Sequence, residues 1–475
     1  MHRFARCLIH IGAPKTGTTS LQDVLAANRR VLRARGILYP ACFGGRSHVR
    51  LAAALHPGPS PQLSAALEAT GTADRAALWD VLRAAYAQEL RAALAEAAAE
   101  GRPPPDTLAL SSEFFWSLPD GPPMLEALRN FAAEQAGRLE VFAWIRRQDE
   151  FAVSIASTRA RDGKADAEAP VFPANPRRAF RYARVMKEAK AAFGRDAITL
   201  RIFARGELVG GDIVEDAFAA MGLGATDGLA RPPRRNRALR PEMQSWLARL
   251  AEIAPDRYGR GAGERIDIGR LAERHAGGGA RPARAAAARF MAMFEKANEA
   301  LRAEWLPERE TLFPPPPRWP READPPADAA ALMAVTHDAL CWKEAEIAGL
   351  AARLALAEGR EEEAWPAFAR AAALWPAAPG LARAWAEALL GARAAPTDSC
   401  RAAAAALEEA AREATEDGAL RLRLLRGRLL LRAGDAEAAL AAADALEAER
   451  PGHDGVRRLA AAARGARRPK RAAAG

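Results

Sequence analysis

The sequence predicts a three-layer α/β fold, a parallel sheet with helices on both faces, followed by an all-α region of helical hairpins. Three observations carry this. Short β-like apolar runs alternate with helix-like segments from Cys7 to about residue 310. The span "FPPPPRWPREADPP", with seven prolines in residues 313 to 326, can continue neither helix nor sheet. Beyond it the chain is rich in Ala and Leu, almost free of β-branched residues, and helical by propensity.

Taken in order, "CLIHIGA" reads as a buried strand. "TSLQDVLAANRRVLRARG" follows as one helix, with Leu21, Val24, Leu25, Val31 and Leu32 on a broad face and Gly36 as its stop. "ILYP" is a short strand. After the break "HPGPSPQ", a long helical pattern runs near residues 72 to 100, ended by "GRPPPD", and "TLALSS" is the next strand. A helix near residues 123 to 136 leads to the strand "LEVFAWI", and another helix begins near Asp149. "ITLRIF" is a further strand between helices. Strands separated by helices imply a mostly parallel sheet with right-handed crossovers.

The C-terminal region contains two stretches that echo each other, around Gly359 and around Gly434. In each, a helix ends at the glycine, a second helix rich in small residues follows, and a proline starts a third. This resembles tetratricopeptide repeats, whose unit is a helical hairpin of about 34 residues, with a degenerate repeat between the two glycines. The expected organisation is an α/β domain over 1–312, a linker over 313–327, a helical domain over 328–465 and a basic disordered tail over 466–475.

A chain of 475 residues, half of them apolar, is long enough for more than one buried core. The net charge of +10 does not point to nucleic acid, because acidic and basic residues are interleaved and only the tail "RGARRPKR" is a basic run. Cys7, Cys42, Cys341 and Cys400 have no metal-ligand spacing and predict neither a zinc site nor a disulfide framework. The apolar run of "MHRFARCLIHIGAP" is too short for a signal peptide, and no stretch approaches a membrane span, so the cytoplasm is the expected compartment.

The chemistry concentrates after the first strand, in "HIGAPKTGTTSLQ", His10 to Gln22. The turn is P-loop-like, but Lys15 precedes Gly17, whereas the lysine of a Walker A loop follows the last glycine. A turn from strand to helix aims backbone amides and the positive helix end at its contents, and Thr18 and Thr19 add hydroxyls at the cap. That suits an oxyanion with several oxygens, and Lys15 supplies a cation that can follow charge onto a leaving oxygen.

"PKTGTTSLQ" resembles the 5′-phosphosulfate loop of sulfotransferases that use 3′-phosphoadenosine 5′-phosphosulfate (PAPS), and the extension "SLQ" is similar to the bacterial and carbohydrate-directed members. The resemblance implies donor contacts from Lys15, Thr16, Gly17, Thr18, Thr19 and Ser20. It also implies an arginine at a strand end and a serine eight residues later, which bind the 3′-phosphate. In "VFAWIRRQDEFAVSIAS", Arg146 and Ser154 have that spacing, and Arg147 is one residue out of register.

Sulfuryl transfer to a hydroxyl (or amine) needs a base for the acceptor proton. Glu113, just after the strand in "ALSSEFFW", stands at the carboxyl edge of the predicted sheet, where ligands of open α/β folds gather. His48 in "GRSHVRLAAAL" competes with it, and resembles a histidine of similar bacterial sequences. "RRNRALRPEM", with Arg235 and Asn236, looks like another family element near the donor or acceptor. The expected co-substrate is PAPS without a metal. The acceptor is a hydroxylated carbohydrate, lipid, small alcohol or peptide tyrosine, and the helical repeats offer a surface for a protein partner. A P-loop nucleotide kinase and a helical-repeat scaffold with a vestigial nucleotide site are the rival readings.

Overall fold

The computed structural model describes residues 2–118, 121–164, 171–232, 238–255, 258, 268–315, 319–324, 327–376, 378–412, 414 and 416–467. The chain divides into two compact units, Met1–Ala327 and Asp328–Gly475.

The first unit is built on five strands, β1 (Phe4–His10), β2 (Ile37–Leu38), β3 (Thr107–Ser111), β4 (Ala136–Ile145) and β5 (Ile198–Ile202). They form one sheet in the order β2-β3-β1-β4-β5, and every pairing is parallel. β1 is therefore central, and its carboxyl end lies between those of β3 and β4. Between the strands run α1 (Thr18–Ala27), α2 (Arg29–Ala34), α3 (Val49–Leu55), α4 (Pro61–Thr70), α5 (Arg75–Ala99), α6 (Phe114–Ser117), α7 (Gly121–Gln135), α8 (Gln148–Arg161) and α9 (Tyr182–Phe193). After β5 come α10 (Ile213–Met221), α11 (Pro241–Ile253), α12 (Gly269–Arg274), α13 (Arg284–Ala292) and α14 (Glu295–Trp305).

Strand side chains alternate between two separate cores, which is why the strands read as continuous apolar runs. Cys7, Ile9, Leu108, Leu110, Val141 and Ala143 join one core with Leu51, Leu82, Leu128 and Val185 of α3, α5, α7 and α9. Leu8, Ala109, Phe142 and Trp144 face the other, with Leu21 and Leu25 of α1 and Phe218 of α10. Helices thus cover both faces of the sheet.

Two expectations are corrected. The helix after β1 is not continuous, because Asn28 breaks it into α1 and α2. Its side-chain amide donates to Val24 O at 2.7 Å and Ala230 O at 2.9 Å, and its side-chain carbonyl accepts from Ala230 N, so the residue closes the end of α1 and at the same time holds a distant loop. The proline-rich span is also not a free connector over its described residues. Phe313 is buried in the main core. Trp319 Nε1 donates to Asp149 at 2.9 Å, Arg284 N donates to Pro320 O, and Asp324 pairs with Arg281. Prolines stop regular structure, but they did not prevent the aromatic and acidic residues between them from finding partners.

The second unit is wholly helical: α15 (Ala329–Ala357), α16 (Glu361–Leu374), α17 (Pro379–Gly391), α18 (Thr397–Arg412), α19 (Glu416–Arg432), α20 (Ala436–Glu449) and α21 (Asp454–Arg467). Gly359 and Gly434, 75 residues apart, both take positive φ at a helix end. Ala364, Phe368 and Ala371 are buried after the first, as are Ala439, Ala443 and Leu446 after the second. A Cβ on Gly349 would collide with Leu381, and one on Gly427 with Leu459, so the same interlock recurs. The hairpin α17–α18 occupies the stretch between. The four cysteines are free, and no described helix is long and apolar enough to cross a membrane.

Candidate functional site

The candidate site forms at the carboxyl ends of β3, β1 and β4. After β1, Gly12, Lys15 and Gly17 have φ of +62°, +66° and +78°. Lys15 is the one described non-glycine residue in that left-handed region, where a side chain costs about 1 kcal/mol or more. Gly12 is forced, since a Cβ there would lie 3.0 Å from Thr18 Cγ2 and 3.2 Å from Glu113 Cα. At Gly17 a Cβ would lie 2.8 Å from Ile213 Cγ2 of α10. The chain therefore turns tightly enough for α1 to pack Leu21 and Leu25 back onto the sheet face.

Gly17 caps α1 without a side chain, and the first intrahelical bond runs from Leu21 N to Gly17 O. The amides of Thr18, Thr19 and Ser20 lie in the first turn, where a helix has no acceptor of its own to offer. Thr16 is buried and its hydroxyl donates to Ala13 O at 2.6 Å, so its side chain closes the turn and only its backbone remains for a ligand. Thr18 Oγ1 donates to Glu113 Oε2 at 2.8 Å, which ties the end of β3 to the start of α1.

Arg146 and Arg147 follow β4 and part company there. Arg147 forks onto Asp149, with both nitrogens at 3.2 Å, and Asp149 is itself buried beneath Trp319. Arg146 instead lies over the Phe203 ring at 5.7 Å and pairs with Glu150 across one helical turn at 2.8 Å. The hydroxyl of Tyr182 donates to the Arg146 carbonyl at 2.8 Å and fixes the strand end. Ser154 is half-buried on α8.

Lys15 joins the two halves. Its ammonium donates to Thr158 Oγ1 at 2.6 Å, and that hydroxyl donates in turn to Ser154 O at 3.2 Å. Burial lowers the Lys15 pKa below the ordinary lysine value, Glu113 and Asp162 oppose that shift, and Arg161 and Arg146 add to it. An anion bound beside Lys15 would offset both the burial and the repulsion that its ammonium bears.

His48 also reaches the β3 end, but in a different capacity. Its Nδ1 accepts from Ser111 N at 3.1 Å and its Nε2 donates to Pro40 O at 2.9 Å, inside a fully buried pocket. Burial pushes its pKa down to about 3. The ring is a neutral clamp between β3 and the loop after β2, with both nitrogens occupied. Arg235 and Asn236 lie outside the described residues.

Two features escaped sequence reasoning. Thr158 is one turn beyond Ser154 on α8, and the i, i+4 relation was the available signal. His10, Ser111 and Gln22 form a buried network under the loop, with His10 Nδ1 at 2.8 Å and Gln22 Nε2 at 3.1 Å from Ser111 Oγ. Burial pushes His10 down to about 4. No sequence signal distinguishes this network from ordinary strand packing.

No family model matches this chain, and neither a curated protein nor a solved structure does.

Proposed function

We propose that the first unit is a PAPS-dependent sulfotransferase with a P-loop-like donor site, moving a sulfuryl group to a hydroxyl or amine acceptor. The observation that carries this reading is the bond from Lys15 to Thr158, which brings together two motifs far apart in sequence. One supplies uncapped amides at the head of α1, and the other an arginine at a strand end with Ser154 one turn from the lysine's partner. A ligand with two separated anionic groups fits this pairing, and a donor carrying a 5′-phosphosulfate and a 3′-phosphate has them.

The donor supplies the activated sulfuryl group when bound. Thr18, Thr19 and Ser20 would hold its 5′ end through backbone amides, with Lys15 placed to neutralise charge on the departing oxygen. Arg146 and Ser154 would hold the 3′-phosphate. Glu113, fixed by Thr18, is the carboxylate at the strand edge that would take the acceptor proton. Because both His48 nitrogens are bonded, we assign that histidine to holding β3 in place.

Calorimetry with the full chain tests the reading. 3′-Phosphoadenosine 5′-phosphate should bind at least about tenfold tighter than ATP and than adenosine 5′-phosphosulfate, the scale of one charge-assisted contact. Preference for ATP with magnesium would favour a nucleotide kinase. Binding of none of the three would leave a helical scaffold carrying an unused nucleotide site.

A further inference from the structure

Two side chains of α1 reach the end of β3, one helical turn apart. Thr18 Oγ1 donates to Glu113 Oε2 at 2.8 Å, and Gln22 Nε2 donates to Ser111 Oγ at 3.1 Å. The spacing is i, i+4, so both side chains come from one face of the helix. Both are buried.

Ser111 is held through its backbone and its side chain together. Its amide donates to His48 Nδ1 at 3.1 Å, and its carbonyl accepts from His48 N at 2.8 Å. It stands opposite His10 in the ladder between β1 and β3, and its hydroxyl lies 2.8 Å from His10 Nδ1. This strand end is a fixed point, and Glu113 follows two residues later.

The polar groups sit in an apolar core. Leu8 and Ala109, two residues earlier on β1 and β3, share their face of the sheet and pack with Leu21, Leu25 and Trp144. An apolar residue at 22 or 111 would fill the same space with no hydrogen bond to satisfy, as Ala109 does. What the polar pair adds is direction. Apolar contacts are non-directional and tolerate small shifts of a helix, whereas a hydrogen bond fixes a distance and an angle. The bond at Thr18 fixes one point of α1, and a second bond one turn on fixes its roll. Misplacing a reacting group by about 1 Å can cost about 10²-fold in rate, so that roll matters at a base.

We propose that Gln22 and Ser111 are positioning residues for Glu113: their bond sets the roll of α1, so that the Thr18 hydroxyl holds the carboxylate where it meets the acceptor. The inference rests on Glu113 being the base. The set of Gln22, Ser111 and His10 is neutral, since burial keeps the imidazole uncharged, so it acts on geometry and not on the field around Lys15.

Release of inorganic sulfate from PAPS by the full chain, with water as the acceptor, tests this. The water oxygen bonds to sulfur as the bond from sulfur to the phosphate oxygen breaks, one water proton passes to Glu113, and the hydrogensulfate loses the other to solvent. Gln22→Met keeps the volume and removes the donor, and should slow release about tenfold. Calorimetry should find 3′-phosphoadenosine 5′-phosphate bound to this variant within about twofold of wild type, as expected of a residue remote from the ligand. Ser111→Ala, which removes the acceptor of the same bond, should match it. Thr18→Val should slow release by a similar factor, and adding Gln22→Met to it should change the rate less than about twofold, because both act through one carboxylate. Losses that multiply in that double variant, or nucleotide binding lost along with the rate, would overturn the positioning role. So would a wild-type rate in Gln22→Met when Glu113→Gln is slowed about 10²-fold or more, and the base would then stand. A wild-type rate in Glu113→Gln, or no release above that in buffer, would overturn the base assignment and this proposal with it.

Discussion

Lys15 Nζ and Thr158 Oγ1 lie 2.6 Å apart, and this contact joins the loop after β1 to the helix after β4. The hydroxyl hydrogen of Thr158 is committed to Ser154 O, so its lone pair faces the ammonium. The lysine is held by its side chain as well as by the left-handed backbone at its own position. Preorganisation of this kind is what allows one cation to matter in a transition state.

Lys15→Ala should therefore lower turnover about 10²-fold or more, while the dissociation constant of 3′-phosphoadenosine 5′-phosphate changes far less. Thr158→Val leaves the ammonium in place but unheld, and its loss should stay within about tenfold. Steady-state turnover with PAPS and titration with the product nucleotide measure the two quantities. Wild-type turnover in Lys15→Ala would remove the lysine from the mechanism.

Arg146 is available to a 3′-phosphate in a way that Arg147 is not, since Arg147 is forked onto buried Asp149. Arg146→Ala should weaken 3′-phosphoadenosine 5′-phosphate about 10- to 100-fold, and Ser154→Ala about tenfold. Adenosine 5′-phosphosulfate, lacking the 3′ group, should be nearly unaffected by either. Glu150→Gln should tighten the 3′-phosphorylated ligand, because it frees Arg146 from a competing carboxylate 2.8 Å away. Equal losses for both nucleotides in Arg146→Ala would indicate a folding defect and sink the assignment.

The central strands were legible in the sequence because the carboxyl halves of β1 and β4 and the whole of β3 are buried on both faces. Residues such as Leu8 and Ile9 feed different cores without any polar interruption. β5, with Thr199 exposed and Arg201 half-buried, was legible instead by its β-branched alternation between helices. Gly17 marked the turn after β1 in the sequence and takes left-handed backbone there, but nothing in the sequence announced that Lys15 would share that conformation. What stayed hidden depended on partners distant in the chain. Asn28 breaks a good helical pattern for the sake of Ala230, Trp319 leaves a proline run to reach Asp149, and His48 is consumed by Pro40 and Ser111. Local periodicity carries no record of such contacts.

The two buried histidines give stability a pH dependence with a definite sign. His48 and His10 titrate near 3 and 4 in the folded chain, against an ordinary value of 6.5. Below about pH 6.5 the unfolded chain binds protons that the folded chain refuses, so stability falls as pH drops from there towards 4. Each histidine contributes about 1.4 kcal/mol per pH unit within that window, and nothing above it. Urea unfolding at pH 7, 6 and 5 should show the slope. His48→Gln, which can keep one donor and one acceptor, should roughly halve it. An unchanged slope in that variant would show that His48 is not held neutral.

The proline-rich span offers the sharpest test of the domain boundary. A chain ending at Leu312 lacks Phe313, which is 6% exposed with its ring 6.4 Å from that of Tyr182. It also lacks Trp319, whose indole donates to Asp149 at 2.9 Å. Losing a buried phenylalanine costs about 2–3 kcal/mol, and losing a hydrogen bond to a buried carboxylate about 1.5–3 kcal/mol. A chain ending at Ala327 keeps both and should unfold at a clearly higher urea concentration than one ending at Leu312. Within the full chain, Trp319→Phe should cost about 1–2 kcal/mol by removing only the indole donor, while Asp149→Ala should cost more, because it strands both the Arg147 guanidinium and the indole. If the two shortened chains unfold at the same urea concentration, residues 313–324 contribute nothing to the α/β unit and its boundary lies at Leu312.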